Sequence, residues 1–515
     1  MEHNSVWLAT AERPGFASLD TSRDADLSVD VAVVGGGIVG LTTALLAQRR
    51  GMQVAVLEAA TVGDGTTGYT TGKVTAQHGL IYADLVKRLG DDSARRYADA
   101  MRAGVEKVAD LVSELEIGCD LTRAPAVAYT RSPEQRSRIE DEAEAAARLG
   151  LPARVTDRTD LPFDVEAAVV FDNQLHFHPG RYMAGLAAAF TAAGGLIFED
   201  ARVTAIDEQR DRTVELATSA ATVVAKQVVV ATLLPPGLLG GFFARTRPSR
   251  SYGLAARLRG PAPTSMAIGL DAPTYSTRPW LDPGPNGLIV VGNGHETGAE
   301  PDTQAMYADL EIWARATFDV EAIDYRWSAQ DYTTPDRVPY VGRSPGNELV
   351  LVATGFQKWG LSSGTAAAMM LADLLAGTDN PWLPVFDAAR IGDARAVARL
   401  IKDNLKVGQE LIAGRRHDPE VRSLSDLRPG EGGLVDVGGH TVGGYRDPVG
   451  AVHTVSARCS HLGCPLHWNA AETSWDCTCH GSRFSPDGSV LDGPAVRPLV
   501  RPSTTDRSGV DLDPT

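Results

Sequence analysis

Four side chains near the carboxyl end of the chain have the types and spacing of metal ligands. They form a C-x-H unit and a C-x-x-H unit, separated by fifteen residues: Cys459, His461, Cys477 and His480. Two thiolates can bind one iron of a [2Fe–2S] cluster while two imidazoles bind the other. Cys464 and Cys479 lie inside the same two loops. The pattern predicts an iron–sulfur cluster with mixed ligands.

Zinc is the competing metal, because it also accepts mixed cysteine and histidine ligands. Zinc fingers usually pair C-x-x-C with H-x(3–5)-H, whereas each half of this pattern supplies one cysteine and one histidine. Four of the five cysteines fall between Cys459 and Cys479, so chance clustering is a poor explanation. The residues favour the cluster.

The segment from Cys459 to Phe484 resembles the Rieske iron–sulfur proteins of cytochrome bc complexes. The resemblance implies that a disulfide between Cys464 and Cys479 clips the two ligand loops together. Phe484 stands where those relatives have a tyrosine whose hydroxyl donates to a ligand sulfur. This chain retains Ser482 but lacks that second hydrogen bond, and Gly493-Pro494-Ala495 would cover the cluster.

A second motif lies near the amino end of the chain. The apolar run 29–34 predicts a strand buried in a parallel sheet, and 41–50 and 54–57 predict a helix and a second strand. Gly35, Gly37 and Gly40 form G-x-G-x-x-G between the first strand and the helix, and Glu58 ends the second strand. This is the dinucleotide fingerprint in its full context.

Two further segments identify the dinucleotide. The loop 63–73 is rich in glycine and threonine, and the segment 352–364 looks like the flavin-end motif of the D-amino-acid oxidase and glycine oxidase superfamily. A second G-x-G-x-x-G after a strand is lacking, so we expect FAD without an NAD(P)H site. The predicted cofactor-binding residues are Gly35, Gly37, Gly40, Glu58, Gly65, Thr66, Thr67, Val203, Gly355, Gly360 and Gly364.

The chain of 515 residues is too long for a single core. We predict an α/β fold, with a Rossmann-type FAD domain and a β-rich substrate subdomain, followed by a small all-β Rieske domain. The predicted parts are an amino-terminal extension (1–28), a discontinuous FAD-dependent oxidoreductase domain (29–386), a helical linker (387–420) and the Rieske domain (421–505).

Charge and hydropathy limit the partners and the location. The net charge of −16 disfavours a nucleic-acid partner. No run reaches the roughly 18 apolar residues that a membrane-spanning helix needs, so we expect no membrane span. The first residues lack both the basic region and the apolar core of a signal peptide, which predicts a cytoplasmic protein.

The resemblance covers nearly the whole chain and implies an enzyme that oxidises a carbon–nitrogen bond of an amine or amino acid. Electrons would pass from FAD through the cluster to an acceptor that the sequence does not identify, leaving through partly exposed imidazoles of His461 and His480. Lys358 and His78 are candidates for groups near the flavin ring, although the sequence identifies no catalytic base. Arg278 could line the substrate pocket.

Several alternatives stay open. Trp280 could line the same pocket, although packing explains it and Arg278 equally well. A Rieske oxygenase would need a mononuclear iron site, and only His176 and His178 resemble a close histidine pair. A non-catalytic redox carrier or sensor would use the same cofactors without a substrate. The remaining cysteine, Cys119, is expected to be a small buried side chain.

Overall fold

The computed structural model describes residues 1–20, 27–413 and 419–502. Its helices are α1 (Val6–Ala9), α2 (Ile38–Gln48), α3 (Tyr82–Glu114), α4 (Arg136–Arg148), α5 (Pro179–Ala192), α6 (Thr303–Thr317), α7 (Gly360–Leu375), α8 (Leu383–Phe386) and α9 (Ala394–Ala413). None of these helices is long and apolar enough to cross a membrane.

The strands are numbered in chain order. Those of the first 230 residues are β1 (Glu2–His3), β2 (Ser28–Val34), β3 (Val54–Leu57), β4 (Lys73–Val74), β5 (Thr122–Thr130), β6 (Ala153–Thr156), β7 (Ala167–His176), β8 (Leu196–Phe198), β9 (Val203–Glu208), β10 (Val214–Thr218) and β11 (Thr222–Val230). The others are β12 (Arg247–Leu258), β13 (Met266–Gly269), β14 (Ser276–Trp280), β15 (Gly287–Glu296), β16 (Val320–Thr333), β17 (Tyr340–Arg343), β18 (Val350–Thr354), β19 (Gly432–Val437), β20 (His440–Arg446), β21 (Val452–Ser456), β22 (Leu466–Asn469), β23 (Ser474–Cys477), β24 (Arg483–Phe484) and β25 (Val490–Asp492).

The nucleotide-binding sheet has the order β17-β18-β11-β2-β3-β8, and every neighbouring pair except β17 and β18 is parallel. Residues 31–34 of β2 are buried, as a strand covered on both faces requires. Helix α2 begins at Ile38, earlier than the predicted position 41. Gly40 therefore lies in the first turn, where a Cβ would come within 1.9 Å of the Gly35 carbonyl oxygen.

The substrate subdomain is built on a second, largely antiparallel sheet with the order β1-β16-β12-β15-β14-β13-β5-β7-β4, and β6 pairs with β7. Side chains of β12 and β16 alternate between its two faces. Ser251 and Gly253 lie on the face that lines the nucleotide cavity. Gln330 has its side-chain amide against the carboxyl-terminal domain, where it donates to the Gly481 carbonyl.

Helix α3 begins at Tyr82 and continues through a break at Gly90, which has a φ of 78°. The buried Glu142 carboxylate fixes this start, because it accepts hydrogen bonds from the N–H groups of Ile81, Tyr82 and Ala83. These are donors that a helix cannot satisfy internally at its first turn.

The amino-terminal residues, predicted to be an extension, pack into the FAD domain. Strand β1 pairs with β16, and Trp7 in α1 is 1% exposed. The indole Nε1 donates to the Thr70 carbonyl at 2.7 Å, and the Arg278 guanidinium lies over the Trp7 ring at 4.6 Å. This segment therefore supports the glycine- and threonine-rich loop.

The carboxyl-terminal domain is β-rich, with a three-stranded sheet β19-β20-β21 and a four-stranded sheet β22-β23-β24-β25 within the described residues. Its core is formed around Trp475, Phe484 and the cysteines of the ligand loops. Helix α9 covers most of the predicted linker, while residues 414–418 lie outside the described part. The α/β architecture followed by a small β-rich domain confirms the predicted fold class.

Candidate flavin and iron–sulfur sites

A cavity of about 290 Å³ lies at the carboxyl ends of β2 and β3, where a doubly wound sheet binds nucleotides. Eight of the predicted cofactor-binding residues line it: Gly35, Gly37, Glu58, Gly65, Thr66, Thr67, Val203 and Gly360. The cavity runs from Glu58 and Arg202 at one end to Lys358 and Trp327 at the other. A lining that includes both the glycine fingerprint and Lys358 fits an extended dinucleotide.

Backbone N–H groups hold the Glu58 carboxylate in place. Its Oε2 accepts the Gly36 N–H at 2.7 Å, and its Oε1 accepts the Ala60 N–H at 2.9 Å. Burial raises the pKa of this carboxyl, while both hydrogen bonds and the nearby Arg202 oppose the shift. A carboxylate held in this way suits the ribose hydroxyls that the fingerprint predicts.

The three remaining glycines of the prediction permit close packing and do not line the cavity. Gly40 lets α2 approach β2, as described above. At Gly364 in α7 a Cβ would lie 2.9 Å from the Val39 side chain. Gly355 follows β18 with a φ of +79°, and a Cβ there would meet the Thr334 side chain at 2.4 Å. These residues position the two helices that flank the cavity.

Lys358 lies in the wall of the cavity, in the segment 352–364 that resembles the flavin-end motif. Its ammonium donates to the Ser251 hydroxyl at 2.9 Å. Asp331, in the same wall, accepts the Ser249 hydroxyl at 2.7 Å. Burial raises the pKa of the Asp331 carboxyl and Lys358 opposes that shift. This part of the cavity therefore combines the Lys358 side chain and the buried Asp331 carboxyl with apolar side chains such as Trp327.

His78, the other candidate near the ring, does not line the cavity. Its Nδ1 lies 2.8 Å from the Tyr97 hydroxyl, and its Nε2 lies 2.9 Å from the Thr75 carbonyl and 3.2 Å from the Ser362 hydroxyl. Burial lowers the pKa of His78 to about 3. It is a neutral histidine that joins the segment after the loop 63–73 to α7.

Neither Arg278 nor Trp280 lines the cavity. The Arg278 guanidinium donates to the Thr71 and Phe177 carbonyls and to His176 Nδ1. It therefore supports the glycine- and threonine-rich loop 63–73 without lining the cavity. His178 caps α5, where its Nδ1 accepts the Arg181 N–H. The two histidines therefore have separate structural roles. Cys119 is buried, which raises the pKa of its thiol to about 12.

The ligand loops bring the cysteines together. Cys464 and Cys479 form a disulfide, so their sulfurs cannot serve as thiolate ligands. Cys459 and Cys477 remain as buried free thiols. Their proximity to each other and to the Ser482 hydroxyl lowers the pKa of the Cys459 thiol. Two adjacent thiols are what one iron of the cluster requires.

The imidazoles of the two loops lie next to each other, with ring centroids 5.2 Å apart. The Nε2 of His461 donates to the Gly237 carbonyl at 3.2 Å, which leaves its Nδ1 with a free lone pair. The Nδ1 of His480 is buried without a hydrogen-bond partner among the described residues. A buried nitrogen without a partner is costly unless something binds it, and a cluster iron fits that position.

The two imidazoles differ in exposure. His480 is buried, with 3% of its surface exposed, whereas His461 is partly exposed, as predicted. The Phe243 ring of the FAD domain lies 5.0 Å from both imidazole centroids. The exit of electrons through these imidazoles stays a prediction.

The two domains share a wall. Leu491, Asp492, Gly493, Ala495 and Val496 of the carboxyl-terminal domain line the nucleotide cavity. The backbone N–H of Gly237 donates to the Pro494 carbonyl at 2.8 Å. The loop predicted to cover the cluster therefore also lines the cavity of the first domain.

Tyr332 connects this wall to a ligand loop. Its ring lines the cavity, and its hydroxyl donates to the His480 carbonyl at 3.0 Å, with the Gly493 carbonyl at 3.3 Å. Gln330 donates to Tyr332 and to the Gly481 carbonyl at 2.8 Å. A Cβ on Gly481 would lie 2.6 Å from Pro248, so the loop is in close contact with β12.

A second contact between the domains is ionic. Glu472 lies in the turn between β22 and β23, accepts the Tyr307 hydroxyl at 2.8 Å and lies 3.6 Å from the buried Arg250 guanidinium. Burial would raise the pKa of the Glu472 carboxyl, but His3, Arg250 and Arg483 together hold it well below its usual range. No sequence motif predicted these contacts of Glu472, because its partners lie far away in the chain.

Comparison with known proteins agrees with both sites. A family model for the FAD dependent oxidoreductases matches residues 30–374, and a model for the Rieske [2Fe-2S] domain matches residues 418–503. The Bacillus subtilis protein YhfW, described as a Rieske 2Fe-2S iron-sulfur protein, is 35% identical over 512 residues, 99% of this chain and 98% of its own.

Other relatives match the first domain. The gamma-glutamylputrescine oxidoreductase of Escherichia coli is 26% identical over 73% of this chain and 90% of its own length. The crystal structure of glycine oxidase from Geobacillus kaustophilus superposes with a TM-score of 0.61 at 19% identity, covering 71% of this chain and 99% of that one. The first domain of such proteins binds FAD, and a Rieske domain binds a [2Fe–2S] cluster. The chain thus belongs to the FAD-dependent oxidoreductase family and carries a Rieske domain at its carboxyl end.

Proposed function

We propose that this enzyme oxidises the carbon–nitrogen bond of an amine or amino acid and passes the electrons from FAD through the Rieske cluster to a separate acceptor. The single observation that carries the proposal is the shared wall, in which segment 491–496 lines the FAD cavity. A domain that only stored electrons for a partner would have no need to contribute to the wall of the FAD cavity.

The substrate class rests on relatives together with the composition of the cavity. A glycine oxidase and a gamma-glutamylputrescine oxidoreductase are among the similar proteins. At the flavin end, Lys358 offers a cation for a carboxylate and Asp331 a buried acid for an amino group. Apolar side chains, including Trp327 and Phe356, would keep water away from the reacting carbon. Such a wall suits a small zwitterion or amine.

When bound, FAD supplies a two-electron acceptor and the cluster a one-electron carrier. The work of the chain is to hold these groups and the substrate in place. Lys358, fixed by Ser251, would orient the substrate at the flavin end. Tyr332 would hold the His480 loop against the cavity through its hydrogen bond to that backbone. We place this enzyme in the cytoplasm, as the sequence predicts.

An anaerobic screen tests the proposal. The holoprotein is mixed with a panel of amines and amino acids, flavin bleaching is followed optically, and cluster reduction is followed by EPR. We expect one class of compound to bleach the flavin and to produce the reduced-cluster signal. Cys477→Ser, which removes a cluster ligand, is the matched control: its flavin should bleach with the same substrate, but transfer to one-electron acceptors should stop.

The outcomes separate the alternatives. If no amine or amino acid bleaches the flavin, while dithionite reduces both centres, the protein is a redox carrier or sensor. If a substrate bleaches the flavin but the cluster stays oxidised, the oxidase chemistry stands and the relay is wrong. A Lys358→Met variant should bind the same substrate more weakly, because it loses the cation while keeping similar bulk.

A further inference from the structure

The Rieske domain meets the FAD cavity at the end that holds Glu58. The Ala201 N–H donates to the Glu58 carbonyl at 2.8 Å. The next two residues, Arg202 and Val203, line the cavity together with Glu58. In a dinucleotide-binding sheet, the acidic residue that ends the second strand binds the adenosine ribose. This end of the cavity therefore fits the adenosine half of FAD.

Arg202 links this end of the cavity to the Rieske domain. Its Nη2 donates to the carbonyl of Val490, the first residue of β25, at 3.0 Å. Burial lowers the pKa of the Arg202 guanidinium, and the carboxylates of Glu58 and Asp492 oppose that shift. The guanidinium stays charged, because arginine does not lose its proton in proteins. One cation therefore lies close to an acidic residue of each domain.

The rest of β25 continues along the same wall. Leu491 and Asp492 line the cavity, and Leu491 is 45% exposed. The Arg483 guanidinium donates to Asp492 Oδ2 at 3.0 Å, which holds this carboxylate within the Rieske domain. The bond from Arg202 to the start of the strand keeps β25 at the adenosine end. Leu491 is therefore an apolar side chain of the second domain in the wall of a nucleotide site.

We propose that the Rieske domain supplies part of the binding site for the adenosine half of FAD, through Leu491 and through Arg202, which the Val490 carbonyl holds. Leu491 offers an apolar side chain to the adenine, and Arg202 offers a planar cation that stacks on aromatic rings. The Rieske domain thus retains the flavin cofactor in addition to carrying electrons. This role concerns FAD binding and does not depend on the substrate class proposed above.

The experiment compares the affinity for FAD in three variants of the holoprotein. Leu491→Ala removes the apolar side chain, and Arg202→Met removes the cation while it keeps a long side chain. Val452→Ala is the matched control, because Val452 is 41% exposed in the same domain and does not line the FAD cavity. Iron content and the EPR line shape are checked first, so that each variant is known to have a folded Rieske domain.

Two measurements separate the two halves of the cofactor. Equilibrium dialysis, with released FAD quantified by its fluorescence, gives the dissociation constant, and spectroelectrochemistry gives the flavin midpoint potential. We expect the dissociation constant to rise at least fivefold in Leu491→Ala and at least tenfold in Arg202→Met, with the control unchanged. The flavin potential should stay the same in every variant, because contacts with adenosine stabilise oxidised and reduced FAD equally.

A wild-type dissociation constant in Leu491→Ala or in Arg202→Met would overturn the proposal, as would an equal rise in Val452→Ala. A shifted flavin potential in Leu491→Ala would place this segment at the flavin ring, which also contradicts the assignment. Neither measurement needs a substrate or an electron acceptor. If the anaerobic screen finds no amine that bleaches the flavin, the adenosine site is unaffected, so the two failures are distinguishable.

Discussion

Removal of one hydroxyl should loosen the contact between the two domains. Tyr332→Phe keeps the buried ring but deletes the group that donates to the His480 carbonyl at 3.0 Å. The Gly493 carbonyl at 3.3 Å competes for the same proton, so one donated hydrogen bond is lost. The amide of Gln330 keeps its second partner, the Gly481 carbonyl. The change therefore affects one buried carbonyl, which loses its donor, and one Gln330 N–H, which loses its acceptor.

The size of the effect follows from that loss. Leaving a buried carbonyl without its donor costs about 1–3 kcal/mol. A loss of about 2 kcal/mol weakens docking of the Rieske domain roughly 30-fold, because each 1.4 kcal/mol is tenfold. With a urea dependence of about 1.5 kcal/mol per molar, the midpoint for loss of the cluster should fall by about 1 M.

The assay follows urea unfolding through the visible absorbance of the cluster and, separately, the flavin fluorescence. Tyr129→Phe is the control, because Tyr129 lies at the far side of the substrate sheet, packed on Phe163. EPR g-values should not change, since Tyr332 bonds to backbone and not to a sulfur. An unchanged cluster midpoint in Tyr332→Phe, or equal shifts in both variants, would refute the reasoning.

The remaining predictions concern single groups. Cys477→Ser should lose iron and labile sulfide and keep FAD, as measured by metal analysis and flavin absorbance. Gly37→Val should do the converse, because a branched side chain blocks the close approach of the pyrophosphate; a variant that keeps FAD would contradict the assigned phosphate turn. Ser482→Ala should lower the cluster potential, on the order of 50 mV in voltammetry, because a donor to the Cys459 sulfur is lost. His78 is neutral in the folded state down to a pKa of about 3, whereas the unfolded chain protonates near 6.5. The unfolded state then binds more protons as the pH falls, so stability drops; in His78→Gln the loss of unfolding free energy from pH 7 to 5 should be about 2 kcal/mol smaller.

The local motifs could be predicted from the sequence because the residues of each motif lie close together in the chain. The ligand loops and the strand–glycine–helix unit each occupy a continuous segment, so the residue types and their intervals are sufficient. The disulfide followed from resemblance, and the structure forms it between Cys464 and Cys479. Eight of the eleven predicted cofactor-binding residues line the cavity. How those residues contact FAD and the cluster stays a prediction.

The contacts between the domains could not be predicted in this way. Gly237 and Pro494 are far apart in the chain, and nothing in either local pattern indicates the other. Burial of His480 follows from Phe243, which belongs to a different domain. The role of Trp7 was missed for the same reason, since an isolated tryptophan before the first predicted strand carries no periodic signal. Contacts between residues far apart in the chain depend on how the folded domains fit together, and the intervals between residues in the sequence do not show this.

The wall that the two domains share also constrains how the protein is assembled. Segment 491–496 lines the FAD cavity, and the predicted cluster ligand His480 is 3% exposed beside Phe243 of the first domain. Residues of both domains therefore complete each cofactor site. We expect FAD and the cluster to enter while the domains are apart. Docking of the two domains would then be the last step of maturation.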